Sequence, residues 1–275
     1  MIRLEILDKN GIVRMGKNEY EEHRLPMAAQ GAEMAFLATQ ELVYQEGDFI
    51  RITTDAPGKF LVVKLDETLD SSLVYLSGVA WEYEIPLSEG TRNSIPDMAF
   101  MAKAHYINVR YAREYEIKQY RNLALNPHDQ KDSHGAYPHA SANVETRNDS
   151  TFFAKNAIDG VHANNSHGQY PYQSWGINRD PNAKLTIDFG RRVRIDGAGI
   201  VLRADFPHDS YWRQVTLRFE DGTSHTFATE KKTELQTFNF PAVVTRYAVL
   251  EKLIKADDES PFPALTQLEL YGTEE

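Results

Sequence analysis

Two stretches of this chain concentrate the side chains that do chemistry. The first, HANNSHGQYPYQSW, runs from His162 to Trp175 and carries His167, Tyr170, Tyr172 and Trp175. The second, RADFPHDSYW, runs from Arg203 to Trp212 and carries Arg203, Asp205, His208, Tyr211 and Trp212. Aromatic rings offer flat apolar faces, while Arg, His, Asp and Asn bond hydroxyl groups. That mixture suits the gripping of a polyhydroxylated ligand, a sugar above all, better than it suits bond cleavage. A structural role competes at each position. Large aromatics are usually mostly buried, so Trp175, Phe206 and Trp212 also read as core anchors, and Arg203 with Asp205 as a structural pair. Anchoring is the stronger reading for Trp175, and binding the stronger one for Arg203, His208 and Tyr211 taken together.

The elements that must position these loops are short alternating segments bounded by Gly, Pro, Asn and Asp, the pattern of strands and turns. In the first half, Phe49–Ile52 and Phe60–Leu65 read as strands around an Asp55–Gly58 turn. Leu73, Tyr75, Trp81, Tyr83 and Ile85 continue the alternation, and Ile107–Tyr111 closes it. The Ala- and Met-rich segment Pro26 to Tyr44 admits a short helix. In the second half, Leu185, Ile187 and Phe189 alternate with polar residues up to Gly190, and Ala198, Ile200 and Leu202 do the same. Val215, Leu217 and Phe219 lead into the hairpin signal Glu220-Asp221-Gly222-Thr223. Tyr247 to Glu251 and Leu268 to Leu270 supply two further strands. The predicted fold class is all-β, as two β-sandwich (jelly-roll) domains at 1–118 and 119–275.

The order of residues in the second half resembles a known family. Asn122-Leu123-Ala124, Ala140-Ser141-Ala142, Asn156-Ala157-Ile158-Asp159-Gly160 and Trp175 come first. Leu185 to Gly190, Asp221-Gly222 and Leu268-Glu269-Leu270-Tyr271-Gly272 follow. Together they resemble the discoidin family, also called coagulation factor 5/8 type C, which overlaps with family 32 carbohydrate-binding modules. The resemblance covers Asn122 to Gly272 and implies a galactose-binding-like sandwich that mostly binds glycans and, in other branches, lipids or proteins. It also implies a structural Ca2+ at the Asp159-Gly160 turn, with Asn164 as a further oxygen donor. The family's Glu near the end of the domain is Gln267 here. An amide oxygen still coordinates, with less charge, and Asp-Gly also simply makes turns.

Composition excludes several classes. A net charge of −10 argues against a general nucleic-acid or anionic-membrane binder. With no cysteine there is no disulfide framework and no thiolate zinc site. No run approaches the roughly 20 apolar residues a membrane span needs. The N-terminal sequence has no leader pattern, so a cytoplasmic location is expected of the chain as it stands, and a secreted one if a leader was removed.

Neither a Gly-x-Ser-x-Gly elbow, a P-loop nor a dinucleotide fingerprint occurs. With 40 acidic residues, carboxylate pairs fit for glycoside hydrolysis arise by chance. His128, His134, His139, His162 and His167 cluster in sequence, but without the spacing of a metal motif. The expected function is non-catalytic recognition of an oligosaccharide or polysaccharide by loops at one end of the second sandwich. The alternatives are an assembly module, including a homo-oligomer, and a glycan-active enzyme with this domain as accessory.

Overall fold

The structure is a computed structural model that describes residues 1–275. In the first half, besides a two-residue pair (Met15–Gly16 with Leu25–Pro26), eight strands run in chain order: β1 (Ile2–Leu7), β2 (Ala28–Gly31), β3 (Met34–Thr39), β4 (Phe49–Thr54), β5 (Lys59–Lys64), β6 (Ser72–Leu76), β7 (Ala80–Glu84) and β8 (His105–Tyr111). They form two antiparallel sheets. One has the order β2-β1-β4-β7; the other runs β6-β5-β8-β3 and gains β9 (Ala136–Tyr137) beside β6. Side chains alternate along each strand, so Leu4 and Ile6, Ile50 and Ile52, Leu61 and Val63, and Trp81 and Tyr83 share one cluster of 25 buried residues.

The Asp55–Gly58 turn joins β4 to β5, but these strands lie in different sheets and are not a hairpin. The helix admitted within Pro26 to Tyr44 is absent; β2 and β3 occupy that segment. In β3, MAFLAT buries every second residue, and this period of two outweighs the helix preference of Ala and Met. The connector after β8 contains one short helix, Glu114–Lys118. No helix is long and apolar enough to cross a membrane.

The second half is built on β10 (Leu185–Leu202), β11 (Trp212–Phe219), β12 (Ser224–Ala228), β13 (Gln236–Lys255) and β14 (Ala264–Glu274), in the order β14-β10-β13-β11-β12. β10 and β13 are 18 and 20 residues long, and their mutual register slips after Asp188 and after Ile195. Such bulges let one strand bend and serve two layers. The early part of β10 is flanked by His139–Ala142, its later part by β14. At the bend, Gly190 has φ +66°, and a Cβ there would lie 2.3 Å from the Tyr137 ring, so only glycine fits. A second cluster of 30 buried residues, from Leu123 to Leu270, fills this sandwich.

Between the clusters, β9 adds a second-half segment to a first-half sheet and buries Ala136 in the first core. His128, fully buried, also crosses. The Leu65 amide donates to its Nε2 at 3.3 Å, and its Nδ1 lies 2.9 Å from the Ser72 hydroxyl. Because Nε2 accepts, the proton of the neutral ring sits on Nδ1 and is donated to Ser72. Gln130 seals the β7 edge by bonding both backbone groups of Glu84.

Candidate ligand-binding site

A pocket of about 280 Å³ opens at one end of the second sandwich, where three loops meet, and includes His167, Asn178, Arg179, Arg203, His208 and Phe262. Each position has a local cause. Arg203 follows the last residue of β10 and its amide bonds the Ala264 carbonyl at 3.0 Å, fixing it beside β14. A turn from Asp205 to Asp209, closed by a 2.9 Å backbone bond, presents His208. Phe262 stands between Pro261 and Pro263, which hold the chain extended before β14.

Asp209 organises the floor. Its side chain is fully buried; it pairs with Arg203 at 2.5 Å and accepts the Asp205 amide at 3.1 Å. Arg203 also donates to the Phe262 carbonyl at 3.0 Å. His167 bonds Asp205 at 2.7 Å, and its ring lies parallel to that of His208, centroids 4.1 Å apart. His208 lies nearly parallel to Phe262 in turn, at 6.2 Å. The Arg179 guanidinium sits 4.5 Å from the Phe262 ring centre.

His167, Asp205 and His208 are close enough together to suggest a metal site. The ring geometry opposes it, because imidazole binds a metal in its own plane. Two parallel rings 4.1 Å apart do not direct their lone pairs at one ion. The arrangement is better suited to hydrogen-bonding a polar ligand along the ring edges.

The structure brings Arg203, His208 and an aromatic to one exposed concavity, but the aromatic is Phe262. Trp175 is fully buried and its Nε1 donates to the Val144 carbonyl; Trp212 is buried beside it, ring centres 6.3 Å apart. Both tryptophans, offered either as stacking faces or as core anchors, are therefore core, as the burial of large apolar surface favours. Tyr211 packs against the same core, with only part of its surface exposed. Tyr170 and Tyr172 do not line the pocket; the Tyr170 amide bonds Asn93 of the first half at 2.8 Å. Asp205 contributes through His167 rather than by lining the pocket.

Arg147, Asn178, Arg179 and Phe262 escaped the sequence reading. An aromatic flanked by prolines, Pro261-Phe262-Pro263, was the available signal for a presented ring. The remaining histidines disperse. His128 latches the halves, His139 bonds Asp129 at 2.8 Å, His162 bonds Glu269 at 2.7 Å and His134 lines a separate cleft.

Asp159, Asn164 and Gln267, expected as calcium ligands, are hydrogen-bonded within the protein in this structure. Asn164 turns its amide nitrogen to the Leu202 and Thr233 carbonyls. Asp159 accepts from the Val161 amide at 2.8 Å, from Gln173 at 2.7 Å and from Gln267 at 2.6 Å. The Gln267 oxygen is itself taken by the Gly160 amide at 3.1 Å. Nitrogen donors thus occupy the carboxylate where a hard cation needs oxygens. Burial pushes the Asp159 carboxyl up to about 6, against the opposing pull of those donors. Adding calcium or a chelator is therefore expected to move the thermal midpoint by less than about 1 °C. A calcium-dependent rise of several degrees would restore the cation.

The chain matches no protein-family model and no curated protein sequence. Solved structures similar to about half of it include carbohydrate-binding and lectin modules. Chitosan-binding module 1 of a Paenibacillus sp. IK-5 chitosanase/glucanase is 18% identical, with a TM-score of 0.38, over 55% of this chain and 98% of that one. The family 32 module of C. perfringens NanJ, in complex with galactose, is 16% identical, with a TM-score of 0.37, over 48% and 91%. A Streptococcus pneumoniae fucose binding module is 13% identical, with a TM-score of 0.38, over 56% and 98%.

Proposed function

We propose that this chain is a carbohydrate-binding protein that holds a glycan, without transforming it, in the pocket between the Asp205–Asp209 turn and Phe262. The observation that carries the reading is the joining of a half-exposed Phe262 ring to hydrogen-bonding groups on His167, Asn178, Arg203 and His208 around one concavity. The ring receives the apolar C–H face of a sugar, and the polar groups fix its hydroxyls. The pocket is small and open to solvent, so modest affinity is expected.

A glycan array followed by calorimetric titration tests this. A specific sugar signal is expected, with Phe262→Ala and His208→Ala each weakening binding about tenfold or more, equivalent to about 1.4 kcal/mol. An array that stays silent, or full binding by both variants, would overturn the proposal.

The assembly reading rests on a different face. Phe36 on the outer strand β3 is 54% exposed and stands beside Tyr106, ring centres 6.3 Å apart, an apolar strip of the kind that meets partners. A mass that rises with concentration, and falls back on Phe36→Glu, would favour it.

A further inference from the structure

The pocket lining contains three arginines, Arg147, Arg179 and Arg203, together with two histidines and no carboxylate. This stands out on a chain of net charge −10. Building on the glycan reading above, we infer that the pocket selects glycans carrying an acidic group, a carboxylate or a sulfate, over neutral ones.

The three guanidinium groups are not equally free. Arg203 is neutralised by Asp209, yet it is only 5% exposed and its Nε is buried without a hydrogen-bond partner. Such an orphan donor is costly to leave unmet, but it is closed off from solvent, so direct contact with a ligand anion falls to the two rim arginines. Arg179 pairs with no carboxylate; its neighbour is the Phe262 ring. Arg147 reaches Asp149 only at 4.0 Å, and its side chain is 69% exposed.

The backbone holds the two rim arginines in place. Arg147 has φ +56°, Arg179 +61° and Asn178 +48°. These are three of only six non-glycine residues in the left-handed region, which long side chains seldom adopt. Strain of this kind clusters at ligand clamps. Two nearby acids are already engaged: Asp205 is bonded to His167 and Asp209 to Arg203. A neutral sugar would strip water from Arg179 and return only hydrogen bonds to uncharged oxygens. A carboxylate or sulfate matches the guanidinium fork with two charge-assisted bonds.

The test titrates the whole chain with an oligogalacturonide, its methyl ester, a neutral galacto-oligosaccharide and a sulfated one. The free acid, the sulfated sugar or both are expected to bind about tenfold or more tightly than the neutral forms at low salt. That advantage should shrink as salt rises from about 50 to about 300 mM. Arg179→Gln is expected to weaken the charged sugars more than the neutral ones and so bring the ratio close to one, and Arg179→Lys to restore part of the difference. The acid and sulfate arms identify which anion is preferred.

Equal binding of charged and neutral sugars, with both lost in Phe262→Ala, would overturn the acidic preference and leave the glycan site standing. If none of the four sugars binds and a glycan array is silent as well, the glycan reading itself falls.

Discussion

Replacing Asp209 with Ala is expected to cost about 3–5 kcal/mol of stability, the effect of removing one partner of a buried ion pair. Ligand binding is expected to disappear with it. The side chain of Asp209 is fully buried and that of Arg203 is 6% exposed, so the substitution strands a guanidinium charge away from water. The same carboxylate accepts the Asp205 amide and faces His208, so the turn that presents His208 loses its side-chain support and keeps only its backbone bond. Asp209→Asn keeps the shape and the acceptor oxygen without the charge, and should fall between wild type and Asp209→Ala. Denaturant unfolding measures the loss. A change below about 1 kcal/mol for Asp209→Ala, typical of exposed pairs, would contradict the burial of this one.

His128 gives the second large effect, as a pH dependence. Burial holds its imidazole down at about 3, with no hydrogen-bond role left for a second ring proton. The folded state thus favours the neutral ring more than the unfolded chain does. Its contribution is complete above the ordinary histidine pKa of about 6.5 and is lost as pH falls from there towards 3. Between about pH 7 and pH 5 this one group should remove about 2 kcal/mol of stability. Asp159 works in the opposite direction. Its raised carboxyl pKa gives stability present below the ordinary Asp value and lost as pH rises through about 6.

The comparison that isolates His128 is therefore wild type against His128→Gln at each pH. The glutamine is expected to lower stability at pH 7 and to flatten the loss towards pH 5. Parallel pH curves would contradict the latch. Because His128 bonds Leu65 and Ser72, acid should also loosen the contact between the two cores before either core melts.

The scaffold was legible in the sequence because strands advertise themselves by a period of two. Leu185, Ile187 and Phe189, then Val215, Leu217 and Phe219, are all fully buried in one core, as their alternation required. What the sequence hid was connectivity. Nothing local reveals that the strands on either side of Asp55–Gly58 enter different sheets, or that Ala136–Tyr137 pairs across to Leu76 and Tyr75.

The site was half legible for a similar reason. Arg203, His208 and His167 lie on loops whose composition is unusual, and they converge. Arg179 belongs to a stretch of ordinary composition, and it becomes the neighbour of the proline-flanked Phe262 only through folding. The tryptophans read both ways because a large ring serves a core and a binding face equally well on paper, and burial decided for the core, the stronger reading for Trp175. The Asp159 turn kept its place in the fold, but its partners Gln173 and Gln267 bring nitrogen donors to it, a detail no turn pattern contains.

Mapping backbone amide shifts by NMR, as the best glycan from an array is titrated in, most directly tests the central claim that the second-half pocket holds a glycan. The perturbed amides should cluster at Asn178–Arg179, Arg203–Asp209 and Phe262. Perturbations confined to the cleft that carries Glu82, Glu84 and His134, with those three loops unmoved, would contradict it.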